Sequence, residues 1–357
     1  QALFICGTWS AWSEYEPMEG GRDGEYNCAI VLGDCRWERF YISCTEDTYE
    51  AIHPLIPDAD ESAQVVGPDW DGKGLYWIID GRKDNAAVGT VYKITFRWTH
   101  EKKTLSWKQA EDNLCDLKVL GTAYEHKYYL TGSWRQWEGY DEMPKVEGED
   151  YYEGSFVIGF RFQEEFQIIR DADTSQCYYP SAARCKKVGV PVLGPDGRGK
   201  GKNWLVKGPQ HQIVTVRISI DNGMAKVSVR SPTLGVRSWS CWESWVFGSS
   251  LRFYLTGSFN LGSFTLLEPL TMRGLHVCHV TLGPEGSASF QVVVDEDRSQ
   301  VLYPNDELSL EGPDADATNA WLIEGSPGST YVVKLDVNQS DRTKMLTWEE
   351  VVVKALT

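Results

Sequence analysis

A chain of 357 residues exceeds one ordinary core, and its length predicts about two or three domains. A formal net charge of -16 argues against nucleic acid, where Lys and Arg must neutralise phosphates, and against a polybasic hold on anionic lipid. No apolar run approaches the roughly 20 residues of a membrane-spanning helix, and QALFICGTW lacks the basic flank and cleavage site of a signal peptide. The chain reads as starting in mid-strand, which leaves a targeting segment in a precursor open.

In chain order, the first predicted element is a strand running into FICGTWSAW, Phe4 to Trp12, and leaving at Gly7. Glycine there opens backbone conformations closed to other residues. A second strand, FYISCTED (Phe40 to Asp47), is followed by His53-Pro54, the turn Gly67-Pro68-Asp69, Trp77, Gly81, and the closing segments YKITFRW and LSW. The same marks then return in the same order. YLTGSWRQW (Tyr129 to Trp137), FQIIRDAD (Phe166 to Asp173), Tyr179-Pro180, Gly194-Pro195-Asp196, Trp204 and Gly208 make a second unit. YLTGSFNLG (Tyr254 to Gly262), FQVVVDED (Phe290 to Asp297), Tyr303-Pro304, Gly312-Pro313-Asp314, Trp321 and Gly325 make a third. Such order predicts three tandem domains at 3–108, 128–231 and 251–352, with linkers at 109–127 and 232–250.

The period inside each unit is two. Val214, Val216, Ile218 and Ile220 alternate with polar residues, Asn222-Gly223 turns the chain, and Val227 and Val229 resume the alternation. Short alternating segments, many aromatic and β-branched residues and no long helical period predict an all-β fold, three tandem antiparallel β-sandwiches. A small closed barrel is the alternative. Trp77, Trp204 and Trp321 each open an apolar strand and are expected in the core. Gly-Pro-Asp is expected as a turn, with proline setting φ and aspartate capping its own backbone.

The phrase Gly-(Ser/Thr)-(Trp/Phe)-x-x-Trp, an apolar strand and Phe-x-Ile leading into Asp resemble starch- and glycogen-binding modules, the carbohydrate-binding domains of amylases, branching enzymes and the AMP-activated kinase β subunit. The resemblance covers about half of each unit. It implies an immunoglobulin-like sandwich and a loop tryptophan that stacks on a glucose ring. Carried over by position, the sugar platform is Trp12 and Trp137, with Tyr178 the nearest candidate for a second aromatic; the third unit has Gly262 instead. Gln167 and Gln291 stand where that family has lysine. The repeat is also similar to units of large alveolate-algal proteins without assigned function, which implies a soluble plastid protein of an organellar, photosynthetic assembly.

Other features bear on partners. SWSCWESW sets Trp239, Trp242 and Trp245 close together in a linker, and tryptophans so placed are expected to pack a repeat against its neighbour or a partner protein. Asp171, Asp173, Asp295 and Asp297 are calcium candidates, with solvated turn carboxylates as the default reading. The nine cysteines show no zinc spacing; they are expected buried and reduced, with a Cys177–Cys185 bridge as an open alternative. No catalytic motif or cofactor motif appears, and the histidines do not recur at matching positions. The expected function is therefore a non-catalytic accessory or scaffold subunit that binds other proteins. The alternative is an α-glucan-binding protein that uses Trp12 and Trp137.

Overall fold

The computed structural model describes residues 2–110 and 117–351. The chain is all-β, as the period of two predicts. The described residues form six sheets, antiparallel apart from one short parallel addition, and none of these closes into a barrel. In the first repeat, one sheet contains Phe4–Gly7, Trp37–Ser43, Ala51–Pro54, Val65–Asp69 and Trp77–Asp80. The other contains Glu25–Val31, Val91–Trp98 and Lys103–Gln109. Ile5, Phe40, Ile42 and Trp77 of one sheet and Cys28, Ile30, Ile94 and Phe96 of the other share one core, so the two are faces of a sandwich. The second and third repeats have the same pair of sheets with the same strand order. Trp77, Trp204 and Trp321 are fully buried, as expected from the apolar strands they open.

Gly-Pro-Asp is the end of a strand, where a turn was expected. The Gly-Pro-Asp strand itself bulges: Val66 to Asp69, Leu193 to Asp196 and Glu311 to Asp314 each carry one residue more than the partner stretches His53 to Ala51, Tyr179 to Cys177 and Tyr303 to Val301. The glycines have φ of 83°, 92° and 94°, and a Cβ on them would lie 2.1, 2.0 and 2.4 Å from the carbonyl oxygens of Ala51, Cys177 and Val301. No other residue fits that approach. The Gly–Pro bond is cis in all three. The expected aspartate turn follows directly, with Asp69, Asp196 and Asp314 accepting from the N–H of Asp71, Arg198 and Asp316 at 2.9, 2.7 and 3.1 Å.

Two expected linkers carry structure. Within 109–127, where 111–116 lies outside the described residues, Val119–Leu120 adds in parallel to Ala29 and Ile30. Within 232–250, Gly235–Ser240 adds a fourth strand to the second repeat's sheet, and the helix Trp242–Gly248 follows. Only Trp239 faces the core from that strand, so no apolar alternation announced it.

The chain divides into two compact units, residues 1–127 with 220–223, and 128–219 with 224–357. In the second unit, Ile169, Cys177, Tyr179 and Leu193 of the second repeat, Trp242 and Val246 of the helix, and the third repeat's core make one continuous apolar cluster. Ser181 Oγ donates to Pro313 O at 3.2 Å, and the Lys202 ammonium pairs with the Glu311 carboxylate across the same junction.

Candidate binding surfaces of the second repeat

The repeated Gly-(Ser/Thr)-aromatic phrase is the corner that connects a strand to a 3-10 turn. The hydroxyls of Thr8, Ser133 and Ser258 accept the backbone N–H of Arg39, Glu165 and Ser289 at 2.9, 2.9 and 3.0 Å, which fixes the corner to the next strand. Thr8 and Ser133 also donate to the buried carboxylates of Glu38 and Glu164. The other oxygen of each carboxylate accepts from Gly33 N and Gly159 N, both at 3.0 Å. Glu164 thereby ties the Trp137 corner to the Gly159 turn.

The corner ends with two residues in the left-handed region: Ala11 and Trp12 (φ 48° and 62°), Gln136 and Trp137 (57° and 66°), Leu261 and Gly262 (54° and 75°). The N–H of Trp12, Trp137 and Gly262 donates back to Gly7, Gly132 and Gly257 at 3.1, 3.0 and 2.9 Å. The third repeat thus has glycine where the backbone favours glycine, and the first two place tryptophan there.

The two tryptophans differ in setting. Trp12 is half-buried, its ring 4.5 Å from Tyr76 and 5.9 Å from Tyr41. The second repeat has Asn203 and Gln167 at those positions, and Trp137 is 41% exposed. Gln167 donates through Nε2 to the carbonyls of Gly199 and Lys202 at 2.5 and 2.8 Å; Gln291 does the same to Asn319 at 2.7 Å. This glutamine is therefore a clasp on the loop after Gly-Pro-Asp.

Tyr178, expected as a second platform, is 1% exposed and faces Tyr128 in the core. A side chain closed to solvent cannot stack on a ligand; Cys177 and Tyr179 occupy the outer face. The linker tryptophans serve the chain itself. Trp239 lies in the second repeat's core, 6.0 Å from Trp204, and its Nε1 donates to Lys187 O. Trp242 Nε1 donates to Val337 O at 3.1 Å, beneath the Arg342 guanidinium at 4.4 Å, and Trp245 Nε1 donates to Gly189 O at 3.0 Å. They join the second repeat to the third.

The calcium candidates belong to turns. Asp173 and Asp297 accept from the N–H of Ser175 and Ser299, both at 2.8 Å, and Asp295 accepts from Arg252 N at 2.8 Å. Asp171 has φ 54° in the same kind of turn. Among the described residues no group of three or more His, Cys, Asp or Glu side chains converges on a point. Cys177 and Cys185 are both free: Cys177 donates to Gln167 Oε1 at 3.2 Å and Cys185 to Lys187 O at 3.3 Å. Burial pushes the Cys6 and Cys185 thiols up to about 11 and raises those of Cys28 and Cys177 as well, which keeps them inert. Cys115 lies outside the described residues.

Two surfaces of the second repeat had no notice in its sequence alone. In the turn after Tyr152–Val157, Phe160 and Phe162 are 74% and 60% exposed. Val157 and Ile213, directly opposite one another on adjacent strands, are exposed beside it. Position for position, the first repeat reads Asp34-Cys35-Arg36 in this turn and the third Pro284-Glu285-Gly286. Phe162 has φ 57° where Arg36 has 63° and Gly286 has 67°, so the position is left-handed in all three repeats and the second gives it a bulky aromatic. Comparing the three copies at this turn is the signal that would have found it.

The second surface is an open groove of about 610 Å³ along Glu153–Val157, walled by Trp134, Arg135, Asp141 and Glu142. Trp134 stacks on Phe156 at 4.3 Å, and its Nε1 donates to Asp141 at 3.0 Å. The Arg135 guanidinium, with that indole N–H, holds the Asp141 carboxyl below its usual range. No described helix is long and apolar enough to cross a membrane. Family models of known proteins give no match to this chain, and curated proteins give none either.

Proposed function

We propose that the chain is a non-catalytic accessory subunit that docks other proteins in a larger assembly, with the second repeat as its docking repeat. The observation that carries this is the exposure of Phe160 and Phe162 in a turn that the other repeats build without any aromatic residue. The fold does not need aromatics there, and Phe162 holds a left-handed backbone at a cost of about 1 kcal/mol. Exposed contiguous apolar surface of this kind marks contact sites. The test is affinity capture from the native source on the immobilised chain, beside the double variant Phe160→Ser/Phe162→Ser. A partner held by the parent and lost from the variant supports the reading; equal capture by both sinks it.

A second reading, α-glucan binding, is favoured by one specific observation, the exposed Trp137 ring at a left-handed position. It keeps the likeness to starch- and glycogen-binding modules. It expects retardation in glucan-containing gels that Trp137→Gly abolishes. Unchanged migration of the parent chain in amylose and glycogen gels retires it.

A further inference from the structure

The groove beside Tyr152–Val157 is an unpaired sheet edge, and the first repeat shows what fits such an edge. Tyr152–Val157 pairs along its length with Ile213–Asp221. Among the described residues the backbone pairing on its other side is at the start, through the Lys145–Tyr152 bridge and Glu153 N donating to Pro144 O at 3.0 Å. Among the described residues no strand covers the outer side of 154–157. Such an edge presents free backbone donors and acceptors to any extended segment.

In the first repeat the equivalent edge, Glu25–Val31, is covered. Val119 and Leu120 lie parallel to Ala29 and Ile30, and Leu120 is buried in the core with Trp9. Gly121 passes so close that a Cβ would lie 2.9 Å from Trp9 Cβ and 3.4 Å from Val31 Cγ1. The Lys118 ammonium sits 2.8 Å from both oxygens of Glu16. Lys118-Val119-Leu120-Gly121 is thus an extended plug with a basic head, an inserted leucine and a close-packed glycine.

The second repeat repeats the socket without the plug. Strand register places Ser155, Phe156 and Val157 where Ala29, Ile30 and Val31 stand, and Asp141 where Glu16 stands. Trp134 replaces Trp9 and is only half-buried, as expected of the wall of an unfilled socket. The segment that follows the second repeat cannot fill the gap, because Gly235–Ser240 pairs along Met224–Ser231 on the opposite side of the sheet. The third repeat has Thr265 at the Glu16 position and so lacks the acidic end of the socket.

We propose that the groove of the second repeat receives a parallel extended strand of the type Lys-apolar-Leu-Gly, displayed by a partner protein. The inference rests on the reading of the second repeat as the docking repeat, whose exposed Val157 borders both surfaces. The lysine would share the Asp141 carboxylate with Arg135 and meet Glu142, the leucine would enter beside Trp134 and Phe156, and the glycine would pass Val157.

The test uses a fluorescein-labelled peptide of residues 117–122, Leu-Lys-Val-Leu-Gly-Thr, added to the full chain and followed by anisotropy and by hydrogen exchange. The expected result is saturable binding with new protection at 154–157. Replacing the peptide's leucine of position 120 by Asp, or its Lys118 by Glu, should weaken binding by about tenfold or more, the scale of one buried leucine. Phe160→Ser/Phe162→Ser should bind the peptide unchanged. No saturation by about 1 mM peptide, protection elsewhere, or equal binding of the Asp peptide overturns the proposal. If those failures occur while partner capture still depends on Phe160 and Phe162, the strand proposal falls and the docking reading stands.

Discussion

At the scale of the residue, the third repeat is the control for the second. Gly262 and Gly286 occupy left-handed positions that the second repeat gives to Trp137 and Phe162. A left-handed non-glycine residue costs roughly 1–2 kcal/mol, so these aromatics lower stability unless packing repays them. Trp12 is repaid by Tyr41 and Tyr76, whereas the second repeat has Gln167 and Asn203 at those positions and Trp137 is 41% exposed. The two substitutions to glycine should therefore diverge. Trp137→Gly is expected to stay within about 1 kcal/mol of the parent, because relief of the backbone offsets the modest packing lost. Trp12→Gly should destabilise its unit by about 2–4 kcal/mol through the lost aromatic cluster. Urea unfolding followed by circular dichroism reads both. If Trp137→Gly costs as much as Trp12→Gly, Trp137 is a structural plug and the glucan reading loses its observation.

At the scale of the element, the sequence was most legible where the chain repeats itself. The three Gly-Pro-Asp marks located a backbone site at which a Cβ would collide with a carbonyl, and the three tryptophans located the core. What stayed hidden depends on contacts distant in sequence. Nothing near Glu38 or Glu164 announces a buried carboxylate shared by a hydroxyl and a glycine N–H some 30 residues and five residues away. Tyr178 is the nearest aromatic after the Asp turn, but in the strand Cys177–Pro180 it alternates with Cys177 and Tyr179 and lands on the core face beside Tyr128, and nearness in sequence does not tell the face. Nothing in the sequence near Gln167 and Gln291 announces that their amides hold the following loop. The Phe160–Phe162 turn was legible in principle, through the copies that differ from it.

At the scale of the whole molecule, three repeats of sequence fold into two compact units, and the tryptophan-rich segment is the reason. It was read as a linker because tryptophans between repeats have no period to follow. In place it closes the second repeat's core with Trp239 and joins the third repeat's core through Trp242 and Val246. Sandwiches that share one apolar cluster lose it together, so the second and third repeats should unfold in one calorimetric transition, separate from that of the first. Trp242 is the test of this coupling. Its replacement by Ala removes the indole bond to Val337, the stacking of Arg342 and a large volume of the shared cluster, a loss of about 3–5 kcal/mol. The transition of residues 128–351 should fall in temperature or split in two, and that of residues 2–110 should not move. A variant whose scan superposes on the parent's would mean that the helix lies against the junction without coupling it, and that the second and third repeats unfold as independent sandwiches.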